Sequence, residues 1–355
     1  MRKESYFRAP REAALALLAR APTVHVATTR PDGLPVLRAM HAVLVDGAIA
    51  VHGSQLGEKA SAVGRPAVVS AEEIVAQLPS WFFDAQRGCP AATLYRSAQA
   101  HGRIAEVVDR AEKARILQAF MEKYQPEGRH VAVDADDPLY ASQVDETLVL
   151  RIPLEQVDGK DKLGQNRPPE QLQHLLERLW ARGQPGDAAA VDAIRDGNPA
   201  LPEPPFLTSP QGVTLRCALG AESADEVAEL LEGAEWLQGT PRDGIVRAHL
   251  LASAWVGVRG PEGELVGSAR ALSDGQVAYL ADIIVAPRWR KLGIGRALIR
   301  LLLDHPAVRN ARSLRLQTRE HRDVFEQYGF VDAAWRRNPE DPVELVLERW
   351  SRSGR

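Results

Sequence analysis

Residues 283–305 read IIVAPRWRKLGIGRALIRLLLDH. A β-branched run meets a basic turn, and the turn opens into a segment with leucines at helical spacing. Arg290, Gly293 and Gly295 fall in the order R-x-x-G-x-G. Glycines there let the backbone approach a ligand, and a helix start aims free N–H groups at it. Those donors and the positive end of the helix dipole favour an anion. Arg288, Arg290, Lys291 and Arg296 add charge around the turn, and a diphosphate is the natural guest. The dinucleotide-binding fingerprint spaces its three glycines differently, and no acidic residue closes a following strand here.

Working outward, Val213–Leu219 reads as a strand, and Ser223 with Glu226 reads as a capping box. Trp255–Arg259 and Leu265–Ser273 flank the hairpin loop Gly260-Pro261-Glu262-Gly263, and Val277–Val285 is a third strand. Helix Gly295–Asp304, strand Ser313–Thr318, a short helix His321–Tyr328 and a strand near Pro342–Arg349 complete the order.

The V-x-P-x-x-R-x-x-G-x-G-x-x-L pattern, Tyr279-Leu280-Ala281-Asp282 before it and FEQYGF after it resemble the GNAT N-acetyltransferase family over about residues 213–350. The resemblance implies an α+β fold with a mixed central sheet and acetyl-CoA as donor. It implies that the amides of Leu292, Gly293, Ile294, Gly295 and Arg296 hold the pyrophosphate, with Arg290 at the leading basic position. Ile283, Ile284 and Val285 would pair with the pantetheine arm. Transfer needs a base for the substrate ammonium and an acid for the departing thiolate. Asp282, Glu320, His321 and Asp323 are candidate bases, and Asp282 reads equally as the partner of an arginine. Many family members have a tyrosine where this chain has Phe325, which cannot donate a proton. Tyr328 is the remaining catalytic candidate, weighed against a core or rim aromatic.

The first part reads as a helix around Ala13–Ala19 followed by strands at Val24–Thr29, Leu34–Val45, Ala48–Gly53, Ala67–Ala71, Ala91–Val107 and Thr147–Val157. A helix at Ala111–Tyr124 interrupts them. Asp46-Gly47 is a hairpin turn. Many strands with few helices suggest a closed or sandwiched sheet. A further helix, Pro169–Arg182, has Leu172, Leu175, Leu176 and Leu179 on one face. Gln184–Pro210 then reads as a linker, because five prolines between Pro199 and Pro210 forbid regular helix. The expected division is a first domain at 1–183, a linker at 184–210 and a second domain at 211–355.

Two segments of the first part carry chemistry. His52-Gly53-Ser54 leads to Lys59, and such a turn can cradle a phosphate monoester. Asp158 to Pro168 reads as a loop with Lys162, Gln165 and Arg167. Together with Leu78-Pro79-Ser80-Trp81 and Leu94–Gly102 they resemble the FMN-binding split barrel of the pyridoxamine phosphate oxidase-like superfamily, in its PaiB-like branch, over about residues 10–183. The resemblance implies a mainly antiparallel split barrel with flanking helices, FMN bound between two subunits and hence a homodimer. Ser54 and Lys59 would meet the phosphate above His52; Lys162, Gln165 and Arg167 would reach the flavin or its phosphate, and Trp81 would belong to the cofactor site. Phe82-Phe83 replaces the usual tyrosine after the P-S-W motif. Related barrels bind haem or no cofactor, and His25, His41, His52 and His101 read as core or rim residues rather than iron ligands.

The chain has 355 residues, 45% hydrophobic and 26% charged, with a net charge of −3, which is ordinary for a folded polypeptide. That charge and the lack of a helix-turn-helix pattern argue against direct nucleic-acid contact. No apolar run approaches the ~20 residues of a membrane span. Two distant cysteines, Cys89 and Cys217, form neither a disulfide scaffold nor a zinc pattern, and a cytoplasmic setting is expected. Two functional readings follow. One is an N-acetyltransferase for a small, polyamine-like amine fused to a flavin barrel, with FMN-dependent redox chemistry conceivable in the barrel. The other is a regulatory protein whose barrel senses FMN or haem and whose second half binds CoA without turnover.

Overall fold

The structure, a computed structural model, describes residues 4–56, 59–333 and 343–349. The chain forms two compact units, Met1–Ser80 with Gly88–Asn166, and Trp81–Arg87 with Arg167–Arg355. The chain therefore passes between units three times, after Ser80, Arg87 and Asn166.

The first unit is built on two antiparallel sheets. The larger has six strands in the order Arg8–Ala9, Gln156–Lys162, Ala92–Arg103, Pro66–Leu78, Val24–Thr29, Pro35–Met40. The smaller has four: Val43–Val45, Ala48–Ser54, Thr147–Pro153, Ala105–Glu106. The three long strands expected from the sequence are each divided between the sheets. Leu34–Val45 breaks at His41-Ala42, Ala91–Val107 at Ile104, and Thr147–Val157 at Leu154-Glu155. Apolar residues continue on both sides of each break, so the residue pattern alone does not mark it. Helix Arg11–Arg20 buries Ala14, Leu17 and Leu18 in the core, with Ile49 and Val51 from the small sheet and Val69 and Ala100 from the large one.

Gly102 marks the point where the sheets come closest. A Cβ there would lie 2.1 Å from the Pro153 carbonyl oxygen. Only a residue without a side chain fits.

The segment Asp158–Lys162, expected in a loop, is strand: it pairs with Tyr95–Gln99. Helix Ala141–Glu146 was not anticipated, nor was helix Asp187–Gly197 within the expected linker. The latter is alanine-rich, which favours helix, and precedes the first proline of the run. Contacts with the chain beyond the prolines seat it: Arg195 donates to the Leu215 carbonyl at 2.8 Å, and Asp196 faces Arg216 at 2.6 Å. Pro169–Arg182 is helical as expected and buries its four leucines plus Trp180. It belongs to the second unit, not the first: Trp180 Nε1 donates to Asp304 at 2.7 Å, and Arg309 donates to the Trp180 carbonyl.

The second unit carries a seven-stranded mixed sheet in the order Thr214–Arg216, Ala254–Arg259, Leu265–Ser273, Val277–Val285, Ser313–Thr318, Val343–Glu348, Val331–Asp332. Its one parallel contact joins Val277–Tyr279 to Ser313–Arg315. Helix Ile294–Asp304 packs its apolar face on this sheet, burying Leu298, Leu301 and Leu302. The expected capping box does not form. Arg259 donates to Ser223 Oγ at 2.7 Å and to Glu226 at 2.6 Å, so both side chains serve a strand arginine instead of the helix start. No helix among the described residues is long and apolar enough to cross a membrane.

Gly102→Ala is expected to destabilise the first unit by about 1–3 kcal/mol or more, because backbone must move to admit the methyl group. A lowered unfolding midpoint in far-UV circular dichroism checks this; an unchanged midpoint would show that the sheets yield freely there.

Candidate functional site

The strand Val277–Val285 pairs with Ser313–Thr318 over three residues only. Beyond Tyr279 and Arg315 the two strands part. Each stays bonded on its outer side: Val285 opposite Gly267, and Thr318 opposite Val343. Among the described residues, the edge of Leu280–Val285 that faces the opening has no strand partner.

The basic turn stands at the end of that strand. Pro287–Trp289 form a single 3₁₀ turn, then Lys291 and Gly293 take left-handed conformations at φ 64° and 83°. Left-handed residues in such a turn can bring backbone amides to one side, as in an anion nest. Helix Ile294–Asp304 starts immediately, and its first-turn amides lack intrahelical acceptors. The space before them is open: a Cβ on Gly293 would meet nothing within 4 Å, and one on Gly295 only Val285 Cγ2 at 3.9 Å. Leu292 is exposed. Arg290 folds back, its Nε donating to the Val285 carbonyl at 3.0 Å, and so ties turn to strand. Arg288 pairs with Glu264.

Asp282 occupies a bulge. Ser268 pairs with Ile284 and Arg270 with Ala281, so Asp282 and Ile283 together stand opposite Ala269. Its φ is 49°, a costly conformation for a residue with a Cβ. The side chain is buried. Its Oδ2 accepts from Arg270 Nε at 2.6 Å, and its Oδ1 accepts from Trp236 Nε1 at 3.1 Å. His249 Nε2 lies 4.0 Å from Oδ2. The ion-pair reading of Asp282 is therefore realised, at the position where the strand turns toward the opening. Arg270, Trp236 and His249 escaped the sequence reading. The available signal was Arg270, a lone charge within the apolar strand LVGSARALS.

Phe325 is buried against Phe330. Tyr328 is elsewhere: its hydroxyl donates to the Arg296 carbonyl at 3.3 Å, and burial raises its pKa while Arg300 and Arg296 oppose that. It lines an open cleft of about 520 Å³ with Thr208, Ser209, Pro210, Gly293, Arg296 and Arg300. Among the described residues, neither Arg296 nor Arg300 pairs with a carboxylate. Glu320, His321 and Asp323 are exposed.

In the first unit, Lys59 reaches across Gly53, where a Cβ would lie 3.0 Å from its Cδ and Nζ, and donates to the His52 carbonyl at 3.3 Å. It lines a small cavity of about 40 Å³ with Thr28, Arg30, Arg38 and Ser61 over an apolar floor of Val51, Leu150 and Ile152. Arg30 Nε is buried there without an acceptor. Arg38 shares its strand face with Val36 and Met40, and that out-of-place charge was the legible sign. His52 points away from Val51's face, edge-on to Phe120, and burial and Lys59 depress its pKa. Ser54 Oγ accepts from the Leu56 amide, an ordinary turn contact. Lys162 lies over the Tyr95 ring. Gln165 is spent on its own loop: it accepts from the Leu163 amide and donates to the Asp161 carbonyl, each at 2.8 Å. In the second unit, Arg167 stacks on Phe83 at 4.0 Å, and Trp81 is exposed beside Phe82.

Removing one partner of a buried ion pair leaves the other charge uncompensated. Arg270→Ala is expected to cost about 3 kcal/mol for that reason. Urea unfolding read by tryptophan fluorescence checks it, since the first unit contains no tryptophan. A change within about 0.5 kcal/mol, the range of ordinary surface substitutions, would show that Asp282 is not held as a buried carboxylate.

Residues 10–161 match the family model described as pyridoxamine 5'-phosphate oxidase, and residues 224–330 match the acetyltransferase (GNAT) family. No curated protein matches the chain. Among solved structures, the flavocytochrome Anf3 from Azotobacter vinelandii is 19% identical, covering 45% of this chain and 71% of its own, with a TM-score of 0.38. The FAD and heme binding protein from Mycobacterium smegmatis is 22% identical, covering 43% and 71%, with a TM-score of 0.35. An acetyltransferase of the GNAT family from Desulfovibrio desulfuricans is 23% identical, covering 38% and 98%, with a TM-score of 0.33. The chain joins a domain of the pyridoxamine 5'-phosphate oxidase family to a domain of the GNAT acetyltransferase family.

Proposed function

We propose that the second unit transfers the acetyl group of acetyl-CoA to the nitrogen of a small amine. The observation that carries this reading is a strand pair that parts after three residues, beside helix amides that open onto free space. The amides of Leu292 to Arg296 would hold the pyrophosphate, and Lys291 would add charge. Ile283, Ile284 and Val285 would bond the pantetheine arm along the unpaired strand edge. Arg296 and Arg300 would take the 3'-phosphate in the cleft, with Tyr328 beside the base. Tyr328 is thereby a binding residue rather than the acid.

Bound acetyl-CoA supplies an activated thioester carbonyl. The chain's own task is to orient it and to accept the first of the two protons that the ammonium gives up. Asp282, in the bulge of the strand that lines the opening, would take the proton from the substrate ammonium. Phe325 offers nothing to the departing sulfur and the Tyr328 hydroxyl is engaged with Arg296, so the thiolate takes its proton from solvent.

Calorimetry with CoA and with 3'-dephospho-CoA tests the binding half of this reading. CoA is expected to bind at least tenfold more tightly, and the double variant Arg296→Ala with Arg300→Ala is expected to abolish that preference. Lack of binding by either nucleotide would overturn the reading. Acetylation of a panel of primary amines, polyamines included, identifies the acceptor.

For the first unit we propose FMN, its phosphate held by Lys59 with Arg30, Arg38, Thr28 and Ser61. The donor set suits a phosphate monoester. The enclosed space does not suit a whole ligand, since ligand pockets run to about 300–1,000 Å³. The ring system would therefore lie outside this cavity, covered by a second copy of the chain. Visible absorption after incubation with FMN and desalting checks this. Retained flavin bands in the wild type, lost in Lys59→Ala, are expected, with a particle of twice the chain mass by light scattering. A Soret band would reassign the site to haem.

A further inference from the structure

His249 lies on helix Arg242–Leu250 with its side chain wholly buried. Its Nδ1 is 2.8 Å from the Ile245 carbonyl one turn earlier. A carbonyl only accepts, so Nδ1 carries the proton and Nε2 presents its lone pair. Nε2 has no hydrogen-bond partner. It faces Asp282 Oδ2 at 4.0 Å. Oδ2 already accepts from Arg270, whereas Nε2 is left unsatisfied, and a proton placed between the two would give Nε2 its partner.

The surroundings are defined. Strand Val277–Val285 brings Asp282, strand Leu265–Ser273 brings Arg270, and strand Ala254–Arg259 brings the Trp255 ring at 5.2 Å. Ile245, Trp255 and Leu265 belong to the apolar cluster beside it. Nothing in this packing requires a basic side chain, since a leucine would fill the same role. Asp282 links the buried imidazole to the surface. Its other oxygen accepts from Trp236, whose ring is 58% exposed. The carboxylate also sits in the bulge beside the parted strands.

We propose that Asp282 and His249 form a single proton-accepting unit for acetyl transfer. This rests on the acetyltransferase reading above. One proton leaves the substrate ammonium for the Asp282 carboxylate and is then held between Oδ2 and His249 Nε2. The freed nitrogen lone pair forms the C–N bond as the C–S bond breaks, and the second nitrogen proton passes through solvent to the departing thiolate. After product leaves, the proton returns to solvent through Asp282. His249 touches no substrate and is a positioning residue for the proton. Burial keeps its pKa below the ordinary histidine value, Asp282 pulls it up and Arg270 pulls it down, so the ring stands neutral and ready near pH 7.

Two measurements on the full chain test the unit. The first is a long-range ¹H–¹⁵N correlation spectrum of the imidazoles, with the His249 signals assigned by their loss in His249→Gln. The wild type is expected to show the Nδ1–H tautomer. Asp282→Asn is expected to move the His249 titration to lower pH, because the anion that favours the imidazolium is gone. A titration unmoved by Asp282→Asn, or the other tautomer, overturns the pairing.

The second is the pH profile of kcat/KM for acetyl-CoA with spermidine and with n-butylamine. His249→Gln is expected to lower kcat/KM at pH 7 at least tenfold and to displace the acid limb, with acetyl-CoA affinity changed less than twofold. Turnover with an unchanged profile in His249→Gln overturns this inference alone. Binding of acetyl-CoA without turnover of either amine by the wild type overturns the acetyl-transfer reading and this inference with it.

Discussion

Three parallel residue pairs hold Val277–Tyr279 against Ser313–Arg315, and the second unit is organised around their ending there. A parallel pair that stops mid-sheet leaves unsatisfied main-chain groups, which is costly unless water or a ligand meets them. Asp282 lies three residues beyond the stop. Its bulge changes the register against Leu265–Ser273, and its φ of 49° bends the strand. Strain of this kind persists only where surrounding contacts over-determine it. Arg270 and Trp236 supply those contacts. The bend then delivers the strand end to the Lys291–Gly293 turn, where amides and cations gather. A bulged strand, a gap and a basic turn thus follow one another around one buried carboxylate.

Local patterns were legible in the sequence to the extent that they depend on neighbours in the chain. The helix Ile294–Asp304, the three strands before it and the leucine face of Pro169–Arg182 fall where periodicity puts them. What was hidden depends on distant partners. Ser223 and Glu226 have capping-box spacing, yet Arg259, more than thirty residues on, claims both. Gln165 has the chemistry to read a ligand edge, but its amide closes its own loop. Tyr328 looked like a displaced acid, whereas its hydroxyl meets the helix carrying the basic turn. His249, Trp236 and Arg270 come together from two helical segments and a strand, with no spacing rule to announce them.

The first unit teaches the same point with strands. A long alternating stretch can lie in one sheet or turn a corner into a second, and the alternation is identical in both cases. The corner at Ile104 follows Gly102, where the Pro153 carbonyl leaves no room for a side chain. The glycine was visible in the sequence, but the reason for it was not. Likewise Lys59 stood out as a cation after a turn, while Arg38 lay unremarked within an expected strand and Arg30 just beyond the end of another. Only the folded sheet places the three around one cavity.

The path of the chain between its units has a consequence for heredity. Residues 81–87 and the helix Pro169–Arg182 are counted with the second unit although they lie within or directly after the first stretch of chain. No single breakpoint in the coding sequence therefore separates one unit whole from the other. A crossover at the proline-rich segment would leave two structural pieces of the second unit behind with the first. Once such interleaving was established, recombination could no longer exchange either unit as an intact cassette, and the two would be inherited and would diverge together.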